Sequence, residues 1–259
     1  MSTEILLISD LHLSPEQPAT VDRFVRFCAE RAREAEALYI LGDLFDAWIG
    51  DDNDAEPCGE IRNALLGLSS SGTAIYLQHG NRDFLLGERF CKQTGCELIH
   101  EETVRDFFGT PTLLMHGDTL CTDDIAYQQA RRLLRSEAFI TDFLEKPLQE
   151  RALIAAEYRK KSGEATSLLA ADIMDVNQQA VIDVMQRHGV CRLVHGHTHR
   201  QSIHHPQIDG RRCERIVLGE WHPDRGMALS VTVDGITVLV VSRPASHTIL
   251  HRACFRLLR

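Results

Sequence analysis

Five short segments carry side chains suited to holding divalent cations: Asp10-Leu11-His12, Gly42-Asp43, Gly80-Asn81-Arg82-Asp83, His116-Gly117-Asp118 and His195-Gly196-His197-Thr198-His199. Each stands at the end of an apolar run, such as Leu38–Leu41 before Gly42-Asp43. The donors available at these places are carboxylates, imidazoles and one amide oxygen: Asp10, His12, Asp43, Asn81, His116, His197 and His199. Two divalent ions a few Å apart clamp the attacking and leaving oxygens of a phosphoryl displacement and make hydroxide available near neutral pH. Such a pair needs one carboxylate set centrally to bridge it, and Asp43 has that place in the series. No cysteine belongs to the set, which points away from structural zinc and towards Mn, Fe or similar ions. Singly, each segment has a plain structural reading: a turn dipeptide, an N-cap or a solvated histidine cluster. Their joint occurrence, each at an expected strand end, outweighs those readings.

The elements that must position these residues follow from the hydrophobic pattern. Glu4–Ser9, Leu38–Leu41 and Ala74–Gln78 read as buried strands. They alternate with helices marked by Val21, Phe24, Val25 and Cys28 and by the segment 59–68. This β-α-β-α-β order predicts a parallel sheet whose strand ends face a ligand. The segment 84–93 is expected to be helical, and short strands are expected near 97–100, 103–107 and 112–115, with a turn at Gly109-Thr110-Pro111. From Asp123 to His188 strand signals vanish and helical stripes take over. Residues 125–162 hold eight Lys/Arg against five Asp/Glu, in a chain that is otherwise negative. Strands return at 192–195, 215–218, 227–233 and 236–242, the last two joined at Asp234-Gly235. The resulting division is a core of residues 1–122 and 189–242, a helical insertion of 123–188, and a tail of 243–259 with mixed apolar and basic residues.

Composition narrows the class. Of the 259 residues 44% are hydrophobic and 25% charged, enough to fill a sizeable core. The formal charge of −9 argues against a general nucleic-acid binder. Eight cysteines without a Cys-x-x-Cys pair suggest reduced, mostly buried thiols in the cytoplasm. No leader peptide is evident, and no apolar run approaches the roughly 18 residues that span a bilayer.

The five motifs together resemble the calcineurin-like metallophosphoesterase superfamily. Further stretches resemble its branch of lipid A biosynthesis, the UDP-2,3-diacylglucosamine diphosphatases: Ser9-Asp10-Leu11-His12-Leu13, Leu41-Gly42-Asp43-Leu44-Phe45-Asp46, Leu120-Cys121-Thr122-Asp123-Asp124 and Ile173-Met174-Asp175-Val176-Asn177. The resemblance runs from about Ile5 to Val241. It implies a four-layer αββα metallophosphoesterase core of the α/β class with a helical lid insertion, and two metal ions, Mn2+ by preference. One ion would take Asp10, His12, Asp43 and His199; the other would share Asp43 and take Asn81, His116 and His197. It further implies catalytic roles for Asp43, Asn81, Arg82 and His116. Substrate contacts would come from Asn81, Arg82, Asp124, Arg159, Ser162, Thr166, Leu169 and His197. Asn is common in the family where Thr166 stands, and Lys where Leu169 stands. The implied reaction is hydrolysis of UDP-2,3-diacylglucosamine to UMP and 2,3-diacylglucosamine 1-phosphate, by metal-activated water attacking the α-phosphorus. The protein would then be a monomer peripheral to the cytoplasmic face of a bacterial inner membrane, with no nucleic-acid partner. The alternatives are another phosphodiesterase, acting on a cyclic nucleotide or as a nuclease, and a non-catalytic interaction module. The acidic balance disfavours a nuclease, and a scaffold has no need of seven ligands.

One departure from the wider superfamily can be read physically. Many of its members place His after the Asn of the Gly-Asn motif, where it can protonate an alkoxide leaving group. Arg82 stands there instead, a permanent cation and a poor proton donor. A phosphate leaving group, with its second pKa of about 6, needs little protonation. Arg82 therefore favours a pyrophosphate over a simple ester. In the insertion, apolar residues such as Leu133, Leu134, Phe139, Ile140, Phe143 and Leu153 are expected to form an acyl-chain groove, the alternative being that they only pack the helices onto the sheet.

Overall fold

The computed structural model describes residues 4–168 and 175–242, with side chains for all of these except 161–168. Four parallel strands, β1 (Ile5–Ile8), β2 (Ala37–Leu41), β3 (Ala74–Gln78) and β4 (Cys96–Leu98), start the first sheet. The hairpin of β12 (Arg225–Thr232) and β13 (Gly235–Ser242) completes it, in the order β13-β12-β1-β2-β3-β4. The second sheet holds β5 (Thr103–Phe107), β6 (Thr110–Leu114), β7 (Arg192–His195), β11 (Glu214–Val217) and β8 (Ser202–His204), in the order β5-β6-β7-β11-β8. Two short strands, β9 (Gln207–Ile208) and β10 (Arg211–Arg212), pair with each other.

Burial on both faces explains why the strands read as continuous apolar runs, since successive side chains point to opposite sides. Leu6, Ile8, Leu38, Ile40, Ile75 and Leu77 face outward into a cluster with Phe24 of α1 (Pro18–Arg26), Ile61 and Leu65 of α2 (Cys58–Ser70) and Phe90 of α3 (Glu88–Thr94). Their neighbours Ile5, Leu7, Tyr39 and Leu41 face inward, against Leu114, Val194 and Ile216 of the second sheet. Leu113 and Leu193 face the far side, where they meet Val181, Val184 and Met185. The result is four layers: helices, sheet, sheet, helix.

Three helices stand apart from these layers: α4 (Ile125–Leu134), α5 (Glu137–Glu145) and α6 (Leu148–Leu168). The fourth helix of the insertion, α7 (Gln178–Arg187), carries Val181, Val184 and Met185 and so forms the outer layer of the second sheet. Within the lid, Phe139 stacks on Phe143 with ring centroids 5.8 Å apart and meets Tyr158 edge-on at 6.3 Å. Phe143 is buried, so these aromatics form the lid's own core rather than an open groove. Arg151 of α6 pins the lid to the body. Its buried guanidinium donates to the Ile49 carbonyl at 2.7 Å and to both carboxylate oxygens of Asp52. Replacing it by Met should cost about 2 kcal/mol, as expected for hydrogen bonds that involve a charged group. Thermal unfolding and faster proteolysis within α6 would register that loss.

Several sequence expectations need correction. The helix expected over 84–93 begins only at Glu88, because the Asp51 carboxylate accepts from Gly87 N and Phe90 N at 3.0 and 2.9 Å and caps it there. The first hairpin turns at Phe108-Gly109, both with positive φ (53° and 82°), since Thr110 already pairs with Phe107. The last hairpin turns at Val233-Asp234, with Gly235 already opposite Thr232. Cysteine chemistry also differs: Cys191 and Cys213 form a disulfide where the second sheet begins two adjacent parallel strands. Cys28, Cys58, Cys96 and Cys121 are free and buried as expected. No helix among the described residues is long and apolar enough to cross a membrane. Leu169, expected to contact substrate, and the tail 243–259 lie outside the described residues.

Candidate metal centre

The carboxyl ends of β1, β2 and β3 and the loops after β6 and β7 converge on one place, and the seven predicted ligands meet there. Asp43 follows β2, and its Oδ2 lies 3.9 Å from His12 Nε2 on one side and 3.7 Å from His116 Nε2 on the other. On the first side His12 Nε2 and His199 Nε2 approach to 3.2 Å, with Asp10 Oδ1 3.4 Å from His199 Nε2. On the second side Asn81 Oδ1 lies 3.0 Å from His116 Nε2 and 2.9 Å from His197 Nδ1. Each side gathers nitrogen and oxygen donors around Asp43.

The local backbone is built for this convergence. Asp10, His12, Asp43, His197 and His199 all have φ between 48° and 68°, in the left-handed region. Such residues cost of order 1–3 kcal/mol each and cluster at functional sites. Glycines allow the close approach: a β-carbon at Gly80 would fall 2.1 Å from Asp43 Oδ1, and one at Gly196 would fall 2.3 Å from Asp10 Oδ2. Asp83, fully buried, accepts from Gly80 N at 2.8 Å, Leu44 N at 2.7 Å and Asp43 N at 3.3 Å, and so ties the second ligand loop to the third. Arg82 N donates to Asp43 Oδ1 at 2.8 Å, leaving Oδ2 for the centre of the site.

Electrostatics favours cations here. Burial pushes His12 down to about 4 and His197 down to about 3, so both are neutral with a free lone pair near pH 7. Burial also raises Asp43. Against its own burial, Asp10 is held well below the usual carboxylate range by a hydrogen bond from His199 and the charge of His116. Burial works against a charge on His116, yet the Asp43 and Asp10 carboxylates outweigh it and raise that imidazole to about 9. A proton is thus held where carboxylates outnumber cations. His116 Nδ1 lies 2.9 Å from the Leu41 carbonyl, an orientation that turns Nε2 inward. In two groups of donors, Asp10/His12/His199 and Asp10/Asp43/His116, the ligand atoms all lie within 4.8 Å of one another, and both groups fit divalent ions by donor type and burial.

Comparison with known proteins decides the family. Residues 3–201 match the model of the calcineurin-like phosphoesterases. The chain belongs to that family. This phosphoesterase is 50% identical over 235 residues to "UDP-2,3-diacylglucosamine hydrolase" of Pseudomonas fluorescens, a match covering 90% of the chain and 94% of the relative. It is 47% identical over 234 residues to the protein of the same name in Escherichia coli O7:K1, covering 90% and 97%. Among solved structures, vacuolar protein sorting 29 from Cryptosporidium parvum shares the fold at 13% identity with a TM-score of 0.50, covering 98% of both chains. The phosphoesterase is accordingly a metal-dependent hydrolase.

The expected substrate contacts fare unevenly. Asn81, Arg82 and His197 stand at the centre, and the charge of Arg82 is felt by both His12 and Asp43. Asp124 caps α4, accepting from Tyr127 N at 2.9 Å. Arg159 pairs with Asp46, which bridges the lid to the loop after Asp43. Ser162 and Thr166 lie on α6, where side chains are not described.

Three groups escaped sequence reasoning. Buried Asp118 accepts from Tyr127 Oη at 2.8 Å and from Arg131 Nε at 2.7 Å, while Arg135 donates to the Gly80 carbonyl at 2.8 Å. These contacts join α4 to two ligand loops. Glu220 lies 2.8 Å from His199 Nδ1. The run Ile216-Val217-Leu218 before Gly219-Glu220 repeats the pattern of Leu41-Gly42-Asp43 and was the available signal.

Proposed function

We propose that this chain hydrolyses the pyrophosphate bond of UDP-2,3-diacylglucosamine to UMP and 2,3-diacylglucosamine 1-phosphate. The observation that carries the reading is Asp43 Oδ2, placed between the His12 and His116 imidazoles as a shared carboxylate; the substrate is taken from the relatives' name. Asp10, His12, Asp43 and His199 would hold one ion, and Asp43, Asn81, His116 and His197 the other, with Mn2+ matching the N/O donor set. Bound divalent ions neutralise phosphoryl oxygens and lower the pKa of water. Arg82 contributes a fixed positive charge against the non-bridging oxygens of the diphosphate by charge-assisted contact. His12 and His197, neutral near pH 7, keep their lone pairs directed inward. The loop locked by Asp83 holds Asn81 in register with Asp43. Reaction in heavy-oxygen water tests the direction of attack: label in UMP supports attack at the α-phosphorus, and label in the sugar phosphate contradicts it.

The lid receives the acyl chains in this reading. Ile125, Leu133, Leu144 and Leu153 are exposed on α4–α6, Leu133 at 59% and Leu153 at 73%, while the Phe139–Phe143 pair is occupied with packing. Each buried methylene contributes roughly 0.8 kcal/mol, so a few contacts of this kind dominate affinity. Glu at Leu133 or Leu153 should raise KM for the diacylated substrate about tenfold, the loss of one leucine's burial. Hydrolysis of a small soluble phosphodiester and the melting temperature should stay unchanged. Equal loss on both substrates would contradict the lid assignment. The same exposed apolar residues, with the basic residues Arg132 and Lys160 on the same helices, support peripheral contact with an anionic membrane surface.

A further inference from the structure

We infer that Glu220 is a positioning residue for one half of the metal centre: it fixes the ring and tautomer of His199 from outside, so that Nε2 faces the ion. The inference rests on the metal reading above.

His199 offers its two nitrogens to different neighbours. Nε2 points inward, 3.2 Å from His12 Nε2 and 3.4 Å from Asp10 Oδ1. Nδ1 points outward, 2.8 Å from Glu220 Oε2. When Nε2 gives its lone pair to an ion in place of its hydrogen bond to Asp10, a carboxylate at this distance accepts the Nδ1–H and raises the basicity of the ring. His116 is held in the same sense by the Leu41 carbonyl, a neutral acceptor, so the two halves of the site differ in the strength of this support. Glu220 has its second oxygen occupied as well, at 3.1 Å from His222 Nε2.

The loop that carries Glu220 is fixed at several points, which a positioning role requires. Leu218 N donates to the His195 carbonyl at 2.7 Å, and Trp221 N donates to the Asp10 carbonyl at 3.0 Å. Glu220 is therefore tied through the backbone to the ligand segments on both sides of it. The Trp221 indole donates to the Met227 carbonyl at 2.9 Å, and its ring packs edge-on against Phe24 and Phe27. Arg23, buried beneath, donates to the carbonyls of His222 and Pro223 immediately after it. His199 itself has a left-handed backbone at φ 57°, and its ring is one-third exposed, with the His12 ring 5.1 Å away on the inner side and Glu220 on the outer.

The experiment is a titration of chelator-stripped full-length protein with Mn2+, followed by calorimetry and metal analysis, for the wild type, Glu220→Ala and Glu220→Gln. Glu220→Ala should weaken one of the two sites by about 10- to 100-fold, the usual effect of removing such a partner, and leave the other unchanged. Glu220→Gln retains an oxygen to accept the Nδ1–H, so it should recover part of that loss. The melting temperature of the stripped protein should be the same for all three. The inference is overturned if Glu220→Ala binds both ions with wild-type affinity. It is also overturned if both variants weaken binding alike while the stripped protein loses stability. A wild type that binds no Mn2+ saturably would instead sink the metal reading itself.

Discussion

Asp43→Ala should abolish turnover, with a loss on the order of 10^3-fold or more, at the upper end of what one group contributes to stabilising a transition state. Asp43 Oδ2 is the carboxylate oxygen within 4 Å of an imidazole on each side of the centre. Without it two cations would face each other unshielded, so at least one ion should leave. The fold should tolerate the change, because Asp83 secures the same loop through the backbone amides of Asp43 and Leu44. Metal analysis after gel filtration would show one ion or fewer per chain. Two ions with a near-normal rate would refute the bridging assignment.

Arg82→His should reduce hydrolysis of the diphosphate on the order of 10^2-fold, since a fixed charge aimed at the transition state is replaced by a partly charged imidazole. The charge of Arg82 already reaches the site: it opposes the rise that burial causes in the shared Asp43 and adds to the burial that lowers His12. A diphosphate gains little from the proton that histidine would offer, because its leaving group is itself a phosphate. A simple phosphodiester with an alkoxide leaving group gains from that proton, so its hydrolysis should hold or rise. Steady-state rates on the two substrate classes separate these effects. An unchanged diphosphate rate would show that Arg82 does not meet the phosphoryl oxygens.

The convergence of the candidate donors was legible because they sit at strand ends. An apolar run followed by Gly-Asp or Gly-His carries both the position and the chemistry in a few residues, as in Leu41-Gly42-Asp43 and Val194-His195-Gly196-His197. The alternation of buried faces follows equally directly, which is why the core strands lie where the pattern put them. What stayed hidden depends on partners distant in sequence. The start of α3 is set by Asp51, 36 residues before Gly87. Asp118 has no role of its own in the motif, because its partners Tyr127 and Arg131 are on a lid helix. Phe139 and Phe143 looked like groove residues because a stripe of apolar side chains does not reveal that it packs on itself. The pairing of Cys191 with Cys213 follows from β7 and β11 being neighbours, which spacing alone does not give.

The most direct test of a two-ion pyrophosphate hydrolase is to follow UMP release from UDP-2,3-diacylglucosamine while Mn2+ is returned to chelator-stripped protein. The rate should be negligible at the start, rise with metal, and reach its plateau when two ions are bound per chain. Full UMP release by stripped protein, or a plateau reached with a single ion, would contradict the account.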